Sequence, residues 1–277
     1  MIIDLHTHSH YSSDGKLSIP ELLDYYSSGD IVGISDHETI AGWNEFRTEA
    51  EKRGIQPVMG VEWFAGEHHI LSYFINGVPD DFLRYMEKRR SKEKECMQHV
   101  YAAFKIKYHA LPLYDELIKM KSHPEEILSV SVLADAISNG AKNLFKEAVD
   151  NIREVRRTLP VVQRQETFFA NEIIEKINSW SATSVLAHPY NEKGTTLTDD
   201  EIEKKIRTFA ECGIKGIEFI SGKRDEKMET HILSLCDELD LLPSVGSDFH
   251  YLSKGLEPEY LEKVNLELKQ RVEKWIK

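Results

Sequence analysis

Nine side chains able to bind divalent cations recur along the sequence, mostly beside short apolar runs. His6-Thr7-His8 is an H-x-H pair. Side chains two apart on a strand point the same way, so both imidazoles can reach one ion. Asp248-Phe249-His250 repeats that spacing far down the chain. Between them lie Asp14 in the loop Ser12-Ser13-Asp14-Gly15, His37 after Ile34-Ser35-Asp36, Glu62 closing one apolar run, His69 opening another, and His188 before Pro189. Each has an ordinary alternative. Asp14 before glycine can cap its own turn, Glu62 can be a solvated strand end, and a single histidine is more often hydrogen-bonded than a ligand. The joint pattern favours metal. Burying this many ionisable groups together is costly unless cations compensate them. Nitrogen and oxygen ligands without thiolate suit zinc, manganese or iron. Nine ligands exceed the four of one tetrahedral zinc and fit two or three ions, with a carboxylate such as Glu62 bridging.

Barrels and open α/β sheets place active sites at the carboxyl ends of their strands, where most of these residues fall. Strands are expected at 2–6, 31–35, 54–62, 69–74, 184–187, 216–219 and 242–246, with helices between most of them. That alternation is the signature of parallel βα units. Ser18-Ile19-Pro20-Glu21 has the form of a capped helix start. From 79 to 180 no convincing strand is visible, and the apolar spacing is helix-like over 81–107, 116–121, 130–138, 143–155 and 168–180. The expected organisation is therefore a barrel from 1–78 and 181–277, interrupted by a helical insertion or cap at 79–180. One amphipathic helix is expected over 259–277.

A chain of 277 residues can bury a full core as one large domain with an insertion. Its 47 acidic and 35 basic residues give a net charge of −12. That balance argues against tracking long nucleic acid. It leaves open a small anionic substrate, because metal ions reverse the potential inside a pocket. Cys96, Cys212 and Cys236 are scattered and odd in number, so neither a disulfide framework nor a thiolate zinc site is expected. MIIDLHTHSH lacks the basic flank and apolar stretch of a signal peptide. No segment approaches the roughly 20 apolar residues that cross a bilayer. A cytoplasmic protein without a membrane partner is the expectation. The glycines form neither a dinucleotide fingerprint nor a P-loop.

The segments DLHTHSHYSSDG, ISDHETIAG, GVEW, EHHILSYF, LAHP and GSDFH resemble the polymerase and histidinol phosphatase (PHP) superfamily. They most resemble its small-molecule phosphoesterases, which include nucleoside 3',5'-bisphosphate phosphatases. The motifs run from residue 4 to residue 250. The resemblance implies a distorted seven-stranded (β/α) barrel and a trinuclear metal centre. One ion would take His6, His8, Glu62 and Asp248. A second would share Glu62 and take His69 and His188, with the adjacent His68 a weaker match than His69. A third would take Asp14, His37 and His250. The implied reaction is hydrolysis of a small phosphomonoester, such as a nucleotide, by attack of metal-held hydroxide at phosphorus. Catalytic roles then fall on Glu62, Asp248, His188 and His250, while His188, His250, Asp36, His10 and metal-held water all remain candidates to protonate the leaving group. The family branch often carries an arginine–proline–histidine element in its insertion. The comparable stretch here is Ser129-Val130-Ser131-Val132-Leu133-Ala134, with neither arginine nor histidine. This departure weakens a bisphosphate assignment in particular. The insertion is expected to select the leaving group.

Three other functions stay open: a phosphodiesterase or exonuclease on short oligonucleotides, a C–N or C–O hydrolase, and a non-enzymatic metal-binding module. Arg89, Arg90 and Arg164 could approach phosphate, although an exposed helix face explains them better. His10 could support the site from behind. His99, His109, His123 and His231 are expected to be structural or solvated. Trp43, Trp63, Trp180 and Phe219 are expected in the core or a pocket wall.

Overall fold

Ile31-Val32-Gly33-Ile34 is buried along its whole length in the computed structural model, as a strand covered on both faces must be. The structure describes residues 1–120, 127–160, 163, 168–192, 195–219, 226–251 and 257–277. Its strands are β1 (Ile3–Thr7), β2 (Ile31–Ile34), β3 (Gln56–Ala65), β4 (His68–Tyr73), β5 (Thr183–Leu186), a small ribbon of β6 (Asn191–Glu192) and β7 (Thr195–Thr196), then β8 (Gly216–Phe219) and β9 (Leu242–Val245). Seven of them form one sheet in the order β1-β2-β3-β4-β5-β8-β9. Its two edges meet where Thr7 bridges Phe249, and the His8 amide donates to the Phe249 carbonyl at 2.8 Å. The sheet is thereby a near-closed seven-stranded barrel of mixed α/β construction, as expected. Its seam runs between the H-x-H and D-x-H motifs.

The strand directions and the closing helix differ from the sequence reading. The βα alternation predicts parallel neighbours, but β4 is antiparallel to both β3 and β5. Only Gly66 and Glu67 separate β3 from β4, and so short a connection can join only antiparallel strands. Gly66 provides the left-handed turn, at φ +69°. This hairpin also carries β3 three residues beyond Glu62, which lies inside the strand and opposite Leu71 rather than at its end. The single closing helix divides into a 3₁₀ turn, Pro258–Lys263, and an α-helix, Leu266–Ile276. Asn265 caps the latter by accepting the Glu267 amide.

The chain forms two compact units, Met1–Pro79 with Thr167–Lys277, and Asp80–Glu166. In the first, α1 (Ile19–Leu23) starts with the capping box of Ser18 and Glu21, and α2 (Trp43–Lys52) packs on β3. The second comprises α3 (Asp80–Lys107), α4 (Tyr114–Lys119), α5 (Val130–Ser138) and α6 (Lys142–Thr158). They enclose their own apolar core, which includes Met97, Val100, Phe104, Leu133 and Ile152. The next helix, α7 (Ala170–Ser179), buries Ile173, Ile174 and Ile177 and packs on β3, β4 and β5 of the first unit. The helical stretch expected at 79–180 is thus shared between the units, because the apolar face of α7 is matched by the sheet. Beyond it follow α8 (Asp199–Glu211), α9 (Glu226–Leu239) and α10 (Leu266–Ile276). Trp43, Trp63, Trp180 and Phe219 are buried, while His99, His109 and His231 are exposed. Arg90 is exposed as anticipated, but Arg89 is buried. His123 and Arg164 lie outside the described residues. Among the described residues no helix is long and apolar enough to cross a membrane.

Candidate metal centre

All nine candidate residues belong to the first unit, and each has a polar atom within 3.3 Å of another member. Glu62 is the hub and is completely buried. Its Oε1 faces His69 Nδ1 at 2.9 Å and His188 Nε2 at 3.1 Å. Its Oε2 faces His6 Nε2 at 3.3 Å, His8 Nε2 at 3.2 Å and His37 Nδ1 at 3.1 Å. Asp248 Oδ1 stands 3.5 Å from His6 Nε2 and 3.3 Å from His8 Nε2. Asp14 Oδ2 lies 3.2 Å from His250 Nε2 and 3.6 Å from His37 Nε2.

Among the described residues three groups have possible ligand atoms mutually within 4.8 Å: His6, His8, Glu62 and Asp248; His8, Asp14, His37 and His250; and His37, Glu62 and His69. The first contains the four residues implied by the family resemblance. The second adds His8 to an expected triad, and the third has His37 where His188 was implied. His188 nevertheless touches Glu62. His68 and His69 part company: His69 turns to Glu62, whereas His68 stands edge-on to Phe209. His10 belongs to none of the three groups.

The donor set fits divalent cations. His6 Nδ1 pairs with Glu218 Oε1 at 2.9 Å, an arrangement that directs the Nε2 lone pair into the cluster. His8 Nδ1 is 3.3 Å from Ser12 Oγ, and His250 Nδ1 is 2.7 Å from the Asp248 carbonyl, which orient their Nε2 atoms likewise. The Nε2 atoms of His6 and His8 consequently converge to 3.0 Å. Glu62 Oε2, His37 Nδ1 and His250 Nε2 are all buried without a hydrogen-bond partner, despite this crowding. Unsatisfied buried acceptors are costly, and ligation by a cation satisfies them together.

The electrostatics agree. Burial would raise Glu62, but His37, His6 and His69 outweigh it and hold its carboxyl well below the usual range. Burial likewise opposes ionisation of Asp14 and Asp248, and neighbouring imidazoles reverse that effect at both. Burial lowers His8, yet Asp248 and Glu62 push it up to about 9. His250 is lowered, chiefly by burial and then by the nearby His8.

Several supporting residues escaped the sequence reading. Glu218 accepts from His6 through one oxygen and from the His188 amide through the other, at 2.7 Å. The available signal was an acid inside the apolar strand Gly216-Ile217-Glu218-Phe219. Asp4 joins the two sides of the seam by accepting from Ser247 Oγ at 2.6 Å, the Ser247 amide at 3.0 Å, Tyr26 Oη at 2.6 Å and the His6 amide at 3.2 Å. Burial nevertheless pushes its carboxyl up to about 6. Asp36, a proton-donor candidate by sequence, spends both oxygens on the Ser9 amide and hydroxyl, at 2.6 and 2.7 Å. It therefore ties down the loop between His8 and Asp14. Ser12 connects His8, Asp14 and the His37 amide. Two ligand candidates also adopt left-handed backbone, His188 at φ +28° and Asp248 at φ +52°. Such conformations cost on the order of 1–3 kcal/mol and persist where surrounding contacts enforce them. Glu218 does so at His188.

Gly246 marks how tightly this support is packed. A methyl at its α-carbon would stand 2.3 Å from both Glu218 Oε1 and His6 Cβ. Gly246→Ala is expected to lower stability by about 1–3 kcal/mol, as overpacking does, and to weaken metal uptake. Thermal unfolding and metal titration check this; an unchanged melting temperature with full metal loading would contradict it.

The PHP domain family model matches residues 4–160, more than half of the chain. The protein is 26% identical over 264 residues to a 5'-3' exoribonuclease of Haemophilus influenzae, covering 90% of this chain and 89% of the relative. It is 27% identical over 266 residues to a 3',5'-nucleoside bisphosphate phosphatase of Chromobacterium violaceum, covering 91% and 88%. The solved structure of an amidohydrolase from Chromobacterium violaceum matches its fold with a TM-score of 0.62 at 23% identity, over 98% of this chain and 97% of that one. A near-closed barrel, clustered side chains able to hold cations and a family match spanning most of those side chains lead to one assignment: this chain belongs to the PHP family of metal-dependent phosphoesterases.

Proposed function

We propose that the protein hydrolyses small phosphomonoesters, nucleotides among them, with two or three zinc, manganese or iron ions held by His6, His8, Asp14, His37, Glu62, His69, His188, Asp248 and His250. The observation that carries this reading is the graded exposure of the cluster. His6, His8 and Glu62 are fully buried, whereas the side chains of Asp14 and Asp248 are 36% and 38% exposed. The cluster thus has a dry floor and a solvent-facing side at which a phosphoryl group can enter. Bound divalent ions lower the pKa of water and offset charge on phosphoryl oxygens. The chain's own residues hold that arrangement in register. Glu218 orients His6, Ser12 orients His8, and the Asp248 carbonyl orients His250. In the reaction the ester P–O bond breaks and the oxygen of water joins phosphorus. The leaving oxygen takes a proton, so an alcohol and inorganic phosphate result.

The two sequence relatives support nucleotide esters as the substrate class. The likeness to the exoribonuclease, over 90% of this chain, favours a second reading: release of terminal nucleotides from short oligoribonucleotides. The net charge of −12 is adverse to long polymers but not to short ends.

The test is kcat/KM for a nucleoside monophosphate, the matching 3',5'-bisphosphate, an aryl phosphate and a diribonucleotide, using one metal-loaded preparation with a chelated control. Monoesters are expected to turn over in a metal-dependent way, and faster than the dinucleotide. The bisphosphate is expected to exceed the monophosphate by less than about a thousandfold, or about 4 kcal/mol. The reason lies in α5, where the stretch comparable to the arginine–proline–histidine element instead places Leu133 and Ala134 in the second unit's core. A larger preference would show that another residue replaces that element. Monoester turnover that survives chelation, or none with metal, would refute the main reading.

A further inference from the structure

The four large aromatic residues singled out from the sequence are buried, but Phe64 is not. It lies on β3 between buried Trp63 and Ala65 and is 41% exposed. Residues two apart on a strand share a face, so Phe64 emerges on the face that carries Glu62. Across the hairpin it pairs with His69. Its ring stacks on His37 with centroids 4.3 Å apart and planes 18° apart, and meets His69 nearly at right angles at 5.0 Å.

The third side of this triangle locates the open face. His37 and His69 are 5.3 Å apart. Were His69 on the far face of Phe64, that distance would approach the sum of the other two. His69 must instead stand beside the stack, at the edge of the phenyl ring. One face of Phe64 therefore covers His37, and neither imidazole covers the opposite face. Together with its exposure, this leaves an aromatic surface open to solvent one ring away from a candidate ligand. Covering His37 alone would need only an aliphatic side chain.

We propose that Phe64 is the platform on which an aromatic leaving group stacks, the base of a nucleoside phosphate being the fitting class, while the phosphoryl group occupies the metal cluster. This proposal rests on the phosphomonoesterase reading and adds a barrel residue that shares in selecting the leaving group, a role expected from sequence for the insertion. Offset stacking suits any base, because every base presents a π-face. Phe64 then confers preference for aromatic over aliphatic esters without reading base identity.

The experiment compares wild type, Phe64→Leu and Phe64→Trp at matched metal content, with adenosine 5'-monophosphate and glycerol 3-phosphate as substrates. In Phe64→Leu the ratio of kcat/KM for the nucleotide to that for the glycerol ester is expected to fall about tenfold, equivalent to about 1.4 kcal/mol. Phe64→Trp should keep or raise the ratio. An unchanged ratio in Phe64→Leu, including equal loss on both esters, would overturn the proposal and leave Phe64 as a cover for His37. If the metal-loaded wild type hydrolyses neither ester, the phosphomonoesterase reading fails on its own. Calorimetric binding of adenosine 5'-monophosphate then tests the platform: about tenfold weaker binding to Phe64→Leu supports it, and equal affinity overturns it.

Discussion

Glu62→Gln is expected to reduce turnover by more than about a hundredfold, above the loss typical of outer partners of a metal site, while the fold persists. Five imidazoles face the two oxygens of this one buried carboxylate. The amide keeps the volume but removes the negative charge that two ions would share. It also puts an N–H₂ group in place of an oxygen, facing nitrogens whose lone pairs point inward. Purified Glu62→Gln should retain the far-ultraviolet circular dichroism of the wild type and lose at least one equivalent of metal. Metal content, circular dichroism and turnover belong to the same preparation. Full metal loading with an unchanged rate would reject a bridging role for Glu62.

Glu218→Gln should weaken metal binding by about 10- to 100-fold, the usual cost of disturbing a partner behind the ligands. Glu218 is fully buried and need not touch a metal. Its two oxygens meet the His6 Nδ1 position at 2.9 Å and the His188 amide at 2.7 Å. With Nε2 of His6 turned inward, both of these groups are donors. Glutamine has only one acceptor oxygen, so its N–H₂ must confront one of them. Either His6 loses its orientation or His188 loses the contact that holds its left-handed backbone. Metal affinity by calorimetry separates this from a loss of folding, which thermal unfolding reports. Glu218→Asp, which keeps the charge, should recover part of the affinity. Wild-type metal affinity in Glu218→Gln would show that His6 and His188 are held without it.

The candidate ligands were legible because metal chemistry restricts residue type so severely. Paired His6 and His8, paired Asp248 and His250, and single carboxylates beside apolar runs carry their meaning in local spacing. The parallel strands were legible for a similar reason, since segments such as Ile31–Ile34 are apolar on both faces. What local spacing does not encode is which strands pair and what stands behind a ligand. The antiparallel β4 follows from a two-residue turn, and its consequence is that Glu62 sits inside β3 rather than at its end. The division of the helices between the two units depends on where the apolar face of α7 finds a surface. Glu218 lies 212 residues from His6, and Asp4 lies 243 from Ser247. Their roles arise only when the sheet nears closure and brings β9 beside β1, with Glu218 of β8 in reach of His6. Residue type and local spacing are enough to show which atoms could ligate a cation. Where those atoms point depends on hydrogen bonds made across the barrel by residues remote in sequence, and these form only in the folded chain.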